Sequence, residues 1–429
     1  MPNVPVGAWS AALLPTGKVL VFQAGDQMYV WDPITQQFGA QFAANTNLFC
    51  AGLTLLADGR LLAAGGHMGQ DAQDNFLGSS AAEIFDPWQE TWTRLPDMEG
   101  GERWYPTAVT LADGRVLVAS GTHAGVLNDA IELLDPVSRQ WQIVARQELP
   151  LYPWMAVLPD ENLLMFGPQR TTGLFDPDTG ALRLAGEMGQ ARFGGAGVLR
   201  NADMAEILVL GGGGPPTNST EIFNASTETW RSVSSMSQPR INPDIVLLPD
   251  GAVLVVGGQS VAEEQEGSEG EGQVLVAETL EADATGWSAA GNATYPHGYH
   301  STALLLPDGS VMAGGPENVL ERYLPWYFFA GDRPVIESLP GSAGYGETVP
   351  LMMTGDAPID RVVLIRVSSV THSLNTDQRY LESGFSLVST GELAVQMPTS
   401  AGLAPPGYYL VFIVTEGRVP SEGRFLRIG

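Results

Sequence analysis

The chain has 429 residues, of which 51 are Gly and 30 are Pro, and this abundance of turn-forming residues excludes a helical bundle and favours many short strands. Its formal net charge of −27 at pH 7 makes nucleic acid a poor partner, and we expect none. No apolar run approaches the roughly 18 residues of a membrane-spanning helix, so we expect no membrane span.

A turn followed by a β-rich run ending in glycine recurs seven times in the first three quarters of the chain. Clear copies are ADGRLLAAGG at 57–66, ADGRVLVASG at 112–121 and PDGAVLVVGG at 249–258. The six intervals between Gly17 and Gly309 average about 49 residues, close to the roughly 50-residue period of kelch repeats. An Asp-Pro or similar turn followed by an aromatic residue completes most units, as in FDPWQETW at 85–92.

These units predict the blades of one propeller. The Asp-Gly turn joins the two inner strands of a blade, the glycines let backbones crowd near the axis, and the aromatic residue packs between neighbouring blades. We therefore predict an all-β fold with a seven-bladed kelch-type β-propeller over residues 1–330. Within blade six, residues 263–272 contain five Glu and no apolar residue, which predicts a solvated loop; a cation-binding loop is the alternative.

The repeat stops near residue 331, and a different strand pattern follows. Apolar runs at 349–354, 361–367, 393–397 and 408–414 are separated by turns over about 100 residues. Short strands at such intervals predict a small immunoglobulin-like β-sandwich over residues 331–429.

Four short segments contain residue types that are unusual in such a scaffold. The only cysteine, Cys50, precedes an inner strand of blade two, and Tyr105 stands at the equivalent point of blade three, so we expect both near the axis on one face. Tyr299 and His300 enter blade seven, which ring closure places near blades one and two, and His372 lies in a polar loop of the C-terminal domain. No pair of His or Cys residues has the spacing of a zinc site, so a zinc enzyme is disfavoured.

Together these segments resemble the galactose oxidase and glyoxal oxidase group of copper radical oxidases over nearly the whole chain. The shared motifs are FC at 49–50, RWYP at 103–106, YHS at 299–301 and the highly specific THSLNTDQ at 371–378. The resemblance implies a thioether between Cys50 and the ring of Tyr105, which stores one oxidising equivalent as a radical. It also implies one copper ion held by Tyr105, His300 and His372, with Tyr299 in the axial position and the C-terminal domain donating one ligand.

The resemblance further implies a mononuclear oxidase that converts a primary alcohol or an aldehyde with O2 to an aldehyde or carboxylic acid and H2O2. Tyr299 is then the general base, and Tyr105 abstracts the carbon-bound hydrogen. No dissociable organic cofactor is implied, in agreement with the lack of a GxGxxG fingerprint in the sequence. We expect a monomer that is secreted or held in the cell envelope, but the chain begins at Met1 without a signal peptide and a cytoplasmic location stays open.

One departure from galactose oxidase concerns the residue that covers the radical. Counting forward from Tyr105 places His123 where galactose oxidase has a tryptophan over the cross-linked tyrosine, which predicts altered radical stability and substrate preference. The other candidate pocket walls are largely apolar and favour a small or hydrophobic alcohol or aldehyde over a polyol: Phe49, Trp104, Tyr152 and Trp154. We interpret Arg103 as structural rather than as a substrate clamp.

The residues alone leave a second class of function open. A lone cysteine is most often a small buried hydrophobe, and a tyrosine at a strand start is usually a packing residue. The alternative is therefore a non-catalytic kelch propeller that binds protein or glycan, takes up no copper and releases no peroxide. For His67 and His297 we favour loop histidines, with a role in orienting a metal ligand left open for His297.

Overall fold

The computed structural model describes residues 4–25, 27–261, 272–355 and 357–429. Within these ranges the regular structure consists of β-strands and one short 3-10 helix, Trp326–Phe329, which confirms the predicted all-β fold class. The loop predicted at 263–272 lies outside the described residues except for Gly272. No helix in these ranges has the length and hydropathy of a membrane-spanning segment.

Seven largely antiparallel sheets follow one another from the N-terminus. Sheet one contains β1 (Ser10–Leu13), β2 (Val19–Phe22), β3 (Met28–Asp32) and β4 (Gln37–Phe38). Sheet two contains β5 (Gly52–Leu55), β6 (Leu61–Ala64), β9 (Ala82–Asp86) and β10 (Thr91–Arg94), and a separate hairpin of β7 (His67–Gln70) and β8 (Phe76–Gly78) lies between β6 and β9 in the chain. Sheet three contains β11 (Thr107–Thr110), β12 (Val116–Ala119), β15 (Ala130–Asp135) and β16 (Gln140–Arg146), and a separate hairpin of β13 (Thr122–His123) and β14 (Val126–Leu127) lies between β12 and β15 in the chain.

The next three sheets repeat the four-stranded order, and sheet seven has three strands in the described residues. Sheet four contains β17 (Trp154–Val157), β18 (Leu163–Gly167), β19 (Thr171–Phe175) and β20 (Leu182–Glu187), and sheet five contains β21 (Gly195–Asn201), β22 (Glu206–Gly211), β23 (Thr220–Asn224) and β24 (Thr229–Val233). Sheet six contains β25 (Ile241–Leu247), β26 (Val253–Gln259), β27 (Val276–Leu280) and β28 (Trp287–Asn292). Sheet seven contains β29 (Thr302–Leu305), β30 (Val311–Gly314) and β31 (Leu320–Tyr323).

Two further sheets form the C-terminal part, and the boundary predicted near residue 330 falls between the 3-10 helix and the first of their strands. Leu351 and Val395 of one sheet share a buried core with Val411 and Ile413 of the other, as expected for a sandwich. The strands of these two sheets are β32 (Val335–Ser338), β33 (Ser342–Ala343), β34 (Thr348–Thr354), β35 (Ile359–Arg366), β37 (Tyr380–Ser383), β38 (Phe385–Ser389), β39 (Glu392–Gln396), β40 (Gly407–Thr415) and β41 (Arg424–Ile428). One further strand of this part, β36 (Ser369–Thr371), pairs with sheet one instead.

The first strands of the seven sheets surround a common centre. They contact one another in the order β5, β11, β17, β21, β25, β29 and β1. The ring is completed by β36 of the C-terminal part, which pairs antiparallel with β1 and also contacts β5. This arrangement is consistent with the predicted seven-bladed propeller and adds a feature that the sequence did not show, namely a C-terminal strand inserted at the centre.

The segment that follows β36 is fixed to most of the surrounding sheets by polar side chains. In sheet two, Thr54 Oγ1 donates to Asp377 (2.7 Å), and in sheet three, Ala108 O accepts from Thr376 (2.8 Å). In sheet four, Val157 O accepts from Arg379 (2.5 Å), and in sheet six, Ile245 O accepts from Gln378 (3.0 Å). We call residues 369–379 the central segment. Because His372 belongs to it, the docking of the C-terminal part determines where this imidazole lies.

Candidate metal centre

Three of the candidate residues occupy the same place in different sheets. Cys50, Tyr105 and His300 each lie two residues before the first strand of their sheet, with φ values of 61°, 62° and 66°. Tyr152 has the same position in sheet four, with φ of 56°. This left-handed conformation is uncommon for residues other than glycine, and clusters of such residues mark functional sites. Where a residue in this conformation stands at the entry to the first strand of a sheet, we call it the left-handed site of that sheet.

The side chains from these positions converge on His372. The Sγ atom of Cys50 lies 3.4 Å from Nε2 of His372, and the ligand atoms of Cys50, His300 and His372 all lie within 4.8 Å of one another. The hydroxyl groups of Tyr105 and Tyr299 are in hydrogen-bond contact. Ring centroids are separated by 4.9 Å between Tyr105 and His372 and by 4.5 Å between His300 and His372. The structure thus brings together all five residues that the motifs singled out.

Both imidazoles are neutral at pH 7. Burial lowers the pKa of His300 to about 4, and burial together with the nearby His300 lowers the pKa of His372 well below its usual value. A hydrogen bond of 2.7 Å joins Nδ1 of His372 to Oγ1 of Thr371, so Nε2 is the nitrogen turned towards Cys50. A neutral ring with one nitrogen held by a neighbouring group is the usual form of a histidine that binds a metal.

Burial also favours the neutral phenol form of Tyr105 and Tyr152. Burial raises the pKa of Tyr105 well above 10, and the neighbouring Cys50 and Tyr299 raise it further. Burial and Cys50 act in the same direction on Tyr152. A bound divalent cation reverses this effect, because it stabilises the phenolate and thiolate forms.

This donor set fits copper. Two neutral imidazoles and two phenol oxygens form the mixed nitrogen and oxygen ligation that Cu(II) prefers. Nε2 of His300 is buried, and no residue in the described part of the chain accepts from it or donates to it. A buried polar atom without a partner is costly, and a metal ion bound at this point removes the cost.

Aromatic rings form the wall of the centre. Phe49 lies 5.5 Å from His300 and 5.8 Å from His67, between ring centroids. Trp9 is stacked on His300 at 4.4 Å with an interplanar angle of 5°, and it was not among the residues predicted from the sequence. Its position directly before β1, in the sheet next to sheet seven, was the signal that could have found it.

The ring that covers Tyr105 is Trp104, at 3.9 Å and 36°, and Phe76 stacks on the other side of the indole at 4.2 Å. The prediction that His123 takes this place is corrected, because the rings in contact with Tyr105 in the described ranges do not include His123. The backbone of Trp104 pairs with that of Thr122, the residue before His123. Nδ1 of His123 instead lies 3.4 Å from Gly78 O.

Of the two remaining candidate pocket walls, Tyr152 lies at the centre and Trp154 does not. Tyr152 is part of the centre, with its ring 4.9 Å from Tyr105 and 5.9 Å from His372. Trp154 is not, because it is the first residue of β17, only 7% exposed, and its ring packs on Phe166 in the hydrophobic core. In a strand, residues two apart share a face, but the left-handed backbone at Tyr152 breaks that relation.

Comparison with known proteins gives one consistent result. A family model described as "Galactose oxidase-like, Early set domain" matches residues 333–428. Galactose oxidase of Gibberella zeae is 24% identical over 99% of this chain and 69% of its own length, and aldehyde oxidase GLOX1 of Arabidopsis thaliana is 26% identical over 90% of this chain and 72% of its own. A solved fungal alcohol oxidase of the AA5 family in complex with copper superposes with a TM-score of 0.89 at 24% identity, covering 99% of this chain and 98% of that one. These similarities confirm the resemblance that the motifs indicated.

Proposed function

We propose that the protein is a mononuclear copper radical oxidase, which oxidises a primary alcohol or an aldehyde with O2 and releases H2O2. The observation that carries the proposal is the convergence of Cys50, Tyr105, Tyr299, His300 and His372 from four separate parts of the chain. The galactose oxidase and aldehyde oxidase relatives support the same reaction class.

Tyr105, Tyr299, His300 and His372 would hold the copper ion, which when bound supplies one of the two one-electron acceptors that the oxidation needs. The second acceptor is Tyr105 itself. A thioether forms when Cys50 Sγ joins the Tyr105 ring, with loss of the thiol hydrogen and one ring hydrogen as O2 is reduced to H2O2. The contact of the thiol with the phenol, which raises the pKa of Tyr105, supports this bond.

During turnover the residues of the chain divide the work between proton and hydrogen transfer. Tyr299 takes the proton of the substrate hydroxyl, as a general base. The oxidised Tyr105 takes the hydrogen on the adjacent carbon, and the contact between the two hydroxyl groups places these acceptors side by side.

The walls of the centre favour an apolar substrate. Phe49, Trp9 and Trp104 present aromatic rings around His300 and Tyr105. Arg103 is fully buried and donates to Glu132 at 2.5 Å. Because its guanidinium is used within its own sheet, we do not expect it to bind a substrate carboxylate. We therefore propose a small or hydrophobic primary alcohol or aldehyde as the substrate.

The decisive test is the mass of the protein before and after aerobic Cu(II) addition. We expect a loss of two hydrogen atoms, localised to the peptides that contain Cys50 and Tyr105, followed by peroxide release with a panel of alcohols and aldehydes. Cys50→Ser is the matched control, because it leaves the tyrosine and histidine ligands in place and prevents the thioether. A free Cys50 thiol after full copper exposure contradicts the proposal.

The resemblance also leads us to propose a monomer that acts outside the cytoplasm. The large negative charge, −27, opposes self-association by repulsion at low ionic strength. Light scattering coupled to gel filtration tests this, and we expect a mass near 45.6 kDa.

A further inference from the structure

A buried ion pair recurs in three of the seven sheets. It joins an arginine before the first strand to a glutamate of the third strand: Arg103 to Glu132 (2.5 Å), Arg192 to Glu221 (2.6 Å) and Arg240 to Glu278 (2.7 Å). The same glutamate also accepts a hydrogen bond from a backbone N–H three residues before the arginine. The donors are Gly100, Gly189 and Ser237. The guanidinium also donates to a carbonyl at the end of the second strand, in Ser120, Gly211 and Gly257. This pair therefore clamps the loop that enters each sheet.

Sheet seven has the same clamp with a histidine in place of the arginine. Nε2 of His297 lies 2.9 Å from Glu321, and Glu321 accepts the N–H of Thr294, again three residues before. Although burial opposes it, hydrogen bonds from His297, Thr294 and Tyr295 lower the pKa of Glu321 to about 2, so the partner is a carboxylate. The other ring nitrogen, Nδ1, is buried without a protein partner in the described ranges, where an arginine would donate to the second strand.

The loop of sheet seven is also one residue longer. In the three arginine clamps the left-handed site follows the arginine by two residues, at Tyr105, Gly194 and Asn242, whereas His300 follows His297 by three. The additional residue means that two adjacent side chains of one loop, Tyr299 and His300, reach the centre. In sheets three, five and six, at most one described residue of the corresponding loop is a candidate ligand of the metal centre.

The space around His297 leaves little room for a longer side chain. Its carbonyl accepts the N–H of Gly258 at 2.6 Å, and a methyl group added to Gly257 would lie 2.6 Å from its Cβ. A methyl group added to Gly315 would lie 3.8 Å from Nδ1 and 3.6 Å from Cβ of Ser301, the residue next to His300. His297 therefore lies beside the segment that carries the ligands, and we expect a longer side chain at this position to contact that segment.

We propose that His297 is the positioning residue for the pair Tyr299 and His300, a short clamp that accommodates the extra residue of this loop. The inference rests on the proposed function, because it concerns how two ligands of the copper centre are held. Residues that orient metal ligands in this way typically affect metal affinity or activity by about 10–100-fold.

The test exchanges the clamp between sheets. His297→Arg gives sheet seven the arginine of the other sheets, and we expect Cu(II) affinity about 10–100-fold weaker, with a changed Cu(II) EPR spectrum. Arg192→His is the matched control, because sheet five has Gly194 at the left-handed site; we expect a less stable protein with the wild-type copper affinity and spectrum. His297→Gln keeps an N–H donor at the reach of Nε2, and we expect it to restore the wild-type spectrum.

The possible results separate the two proposals. If wild-type protein binds no copper, the proposed function fails. If wild-type protein binds copper and His297→Arg has the same affinity and spectrum, only the positioning role fails. Should His297→Arg not fold, His297→Ala and His297→Gln decide: equal copper affinity in both overturns the inference, and weaker binding in the alanine variant alone supports it.

Discussion

The carboxylate of Asp377 in the central segment contributes both to the stability of the fold and to the position of His372. Asp377 is 1% exposed and accepts from Oγ1 of Thr54 at 2.7 Å and from Oγ of Ser369 at 2.9 Å. It also accepts from the backbone N–H of Leu55 at 3.1 Å, and Arg366 lies 3.6 Å away with only 3% of its surface exposed. Substituting alanine removes the acceptor of three hydrogen bonds and the charge partner of Arg366.

The expected cost of Asp377→Ala follows from what it leaves behind. Each buried donor without a partner costs about 1–3 kcal/mol, and breaking a buried ion pair from one side costs about 3–5 kcal/mol. These effects overlap because the same groups share one acceptor, so we expect a total loss of about 3–5 kcal/mol rather than the sum. Because the segment also carries His372, copper affinity should fall together with stability.

Urea unfolding of the copper-free variants measures this loss. The matched control is Asp360→Ala, which removes an ion pair with Arg361 on the surface, where Asp360 is 49% exposed; we expect a change within about 1 kcal/mol. A loss below about 1 kcal/mol for Asp377→Ala, with copper affinity unchanged, would show that the central segment is held mainly by other contacts.

The remaining predictions concern the rings and the pH response of the centre. Trp104→Ala removes the indole that covers Tyr105, and we expect the oxidised form to decay severalfold faster by optical absorption, whereas His123→Trp changes the decay little. Trp9→Ala removes the ring stacked on His300, and we expect a loss of about 0.5–1.5 kcal/mol beyond the lost burial, measured by urea unfolding against wild type. Since burial lowers the pKa of His300 to about 4, the unfolded chain binds more protons between pH 6.5 and 4; the copper-free protein should therefore lose stability as pH falls through this range, and His300→Asn should flatten the profile.

The periodic part of the fold and the members of the centre were predictable from the sequence. The Asp-Gly turns recur because each sheet needs the same hairpin between its first two strands, and their spacing predicted seven units before any contact was known. The positions of Cys50, Tyr105 and His300 relative to those turns then predicted that they lie on one face. The family resemblance that the motif at 371–378 carries implied that His372 would join them, although nothing in the motif showed how.

The directions of individual side chains were not predictable in the same way. Counting residues identified His123 as the ring over Tyr105, but the ring of Trp104 lies 3.9 Å from that of Tyr105, and Nδ1 of His123 lies 3.4 Å from Gly78 O. Trp154 was named with Tyr152 as a candidate pocket wall, yet it packs in the core. In both cases the deciding factor is the face that a residue occupies, which depends on strand pairing and on a local left-handed turn rather than on composition.

The left-handed site explains why a repeated scaffold holds a single centre. In sheets five and six this position is occupied by Gly194 and Asn242, the residue types that adopt this conformation with least strain. In sheets two, three and seven it holds Cys50, Tyr105 and His300, for which the same conformation costs of order 1–3 kcal/mol. Sheets two to seven therefore share one backbone geometry at this position, and the residues that tolerate it poorly are those whose side chains meet at the candidate metal centre.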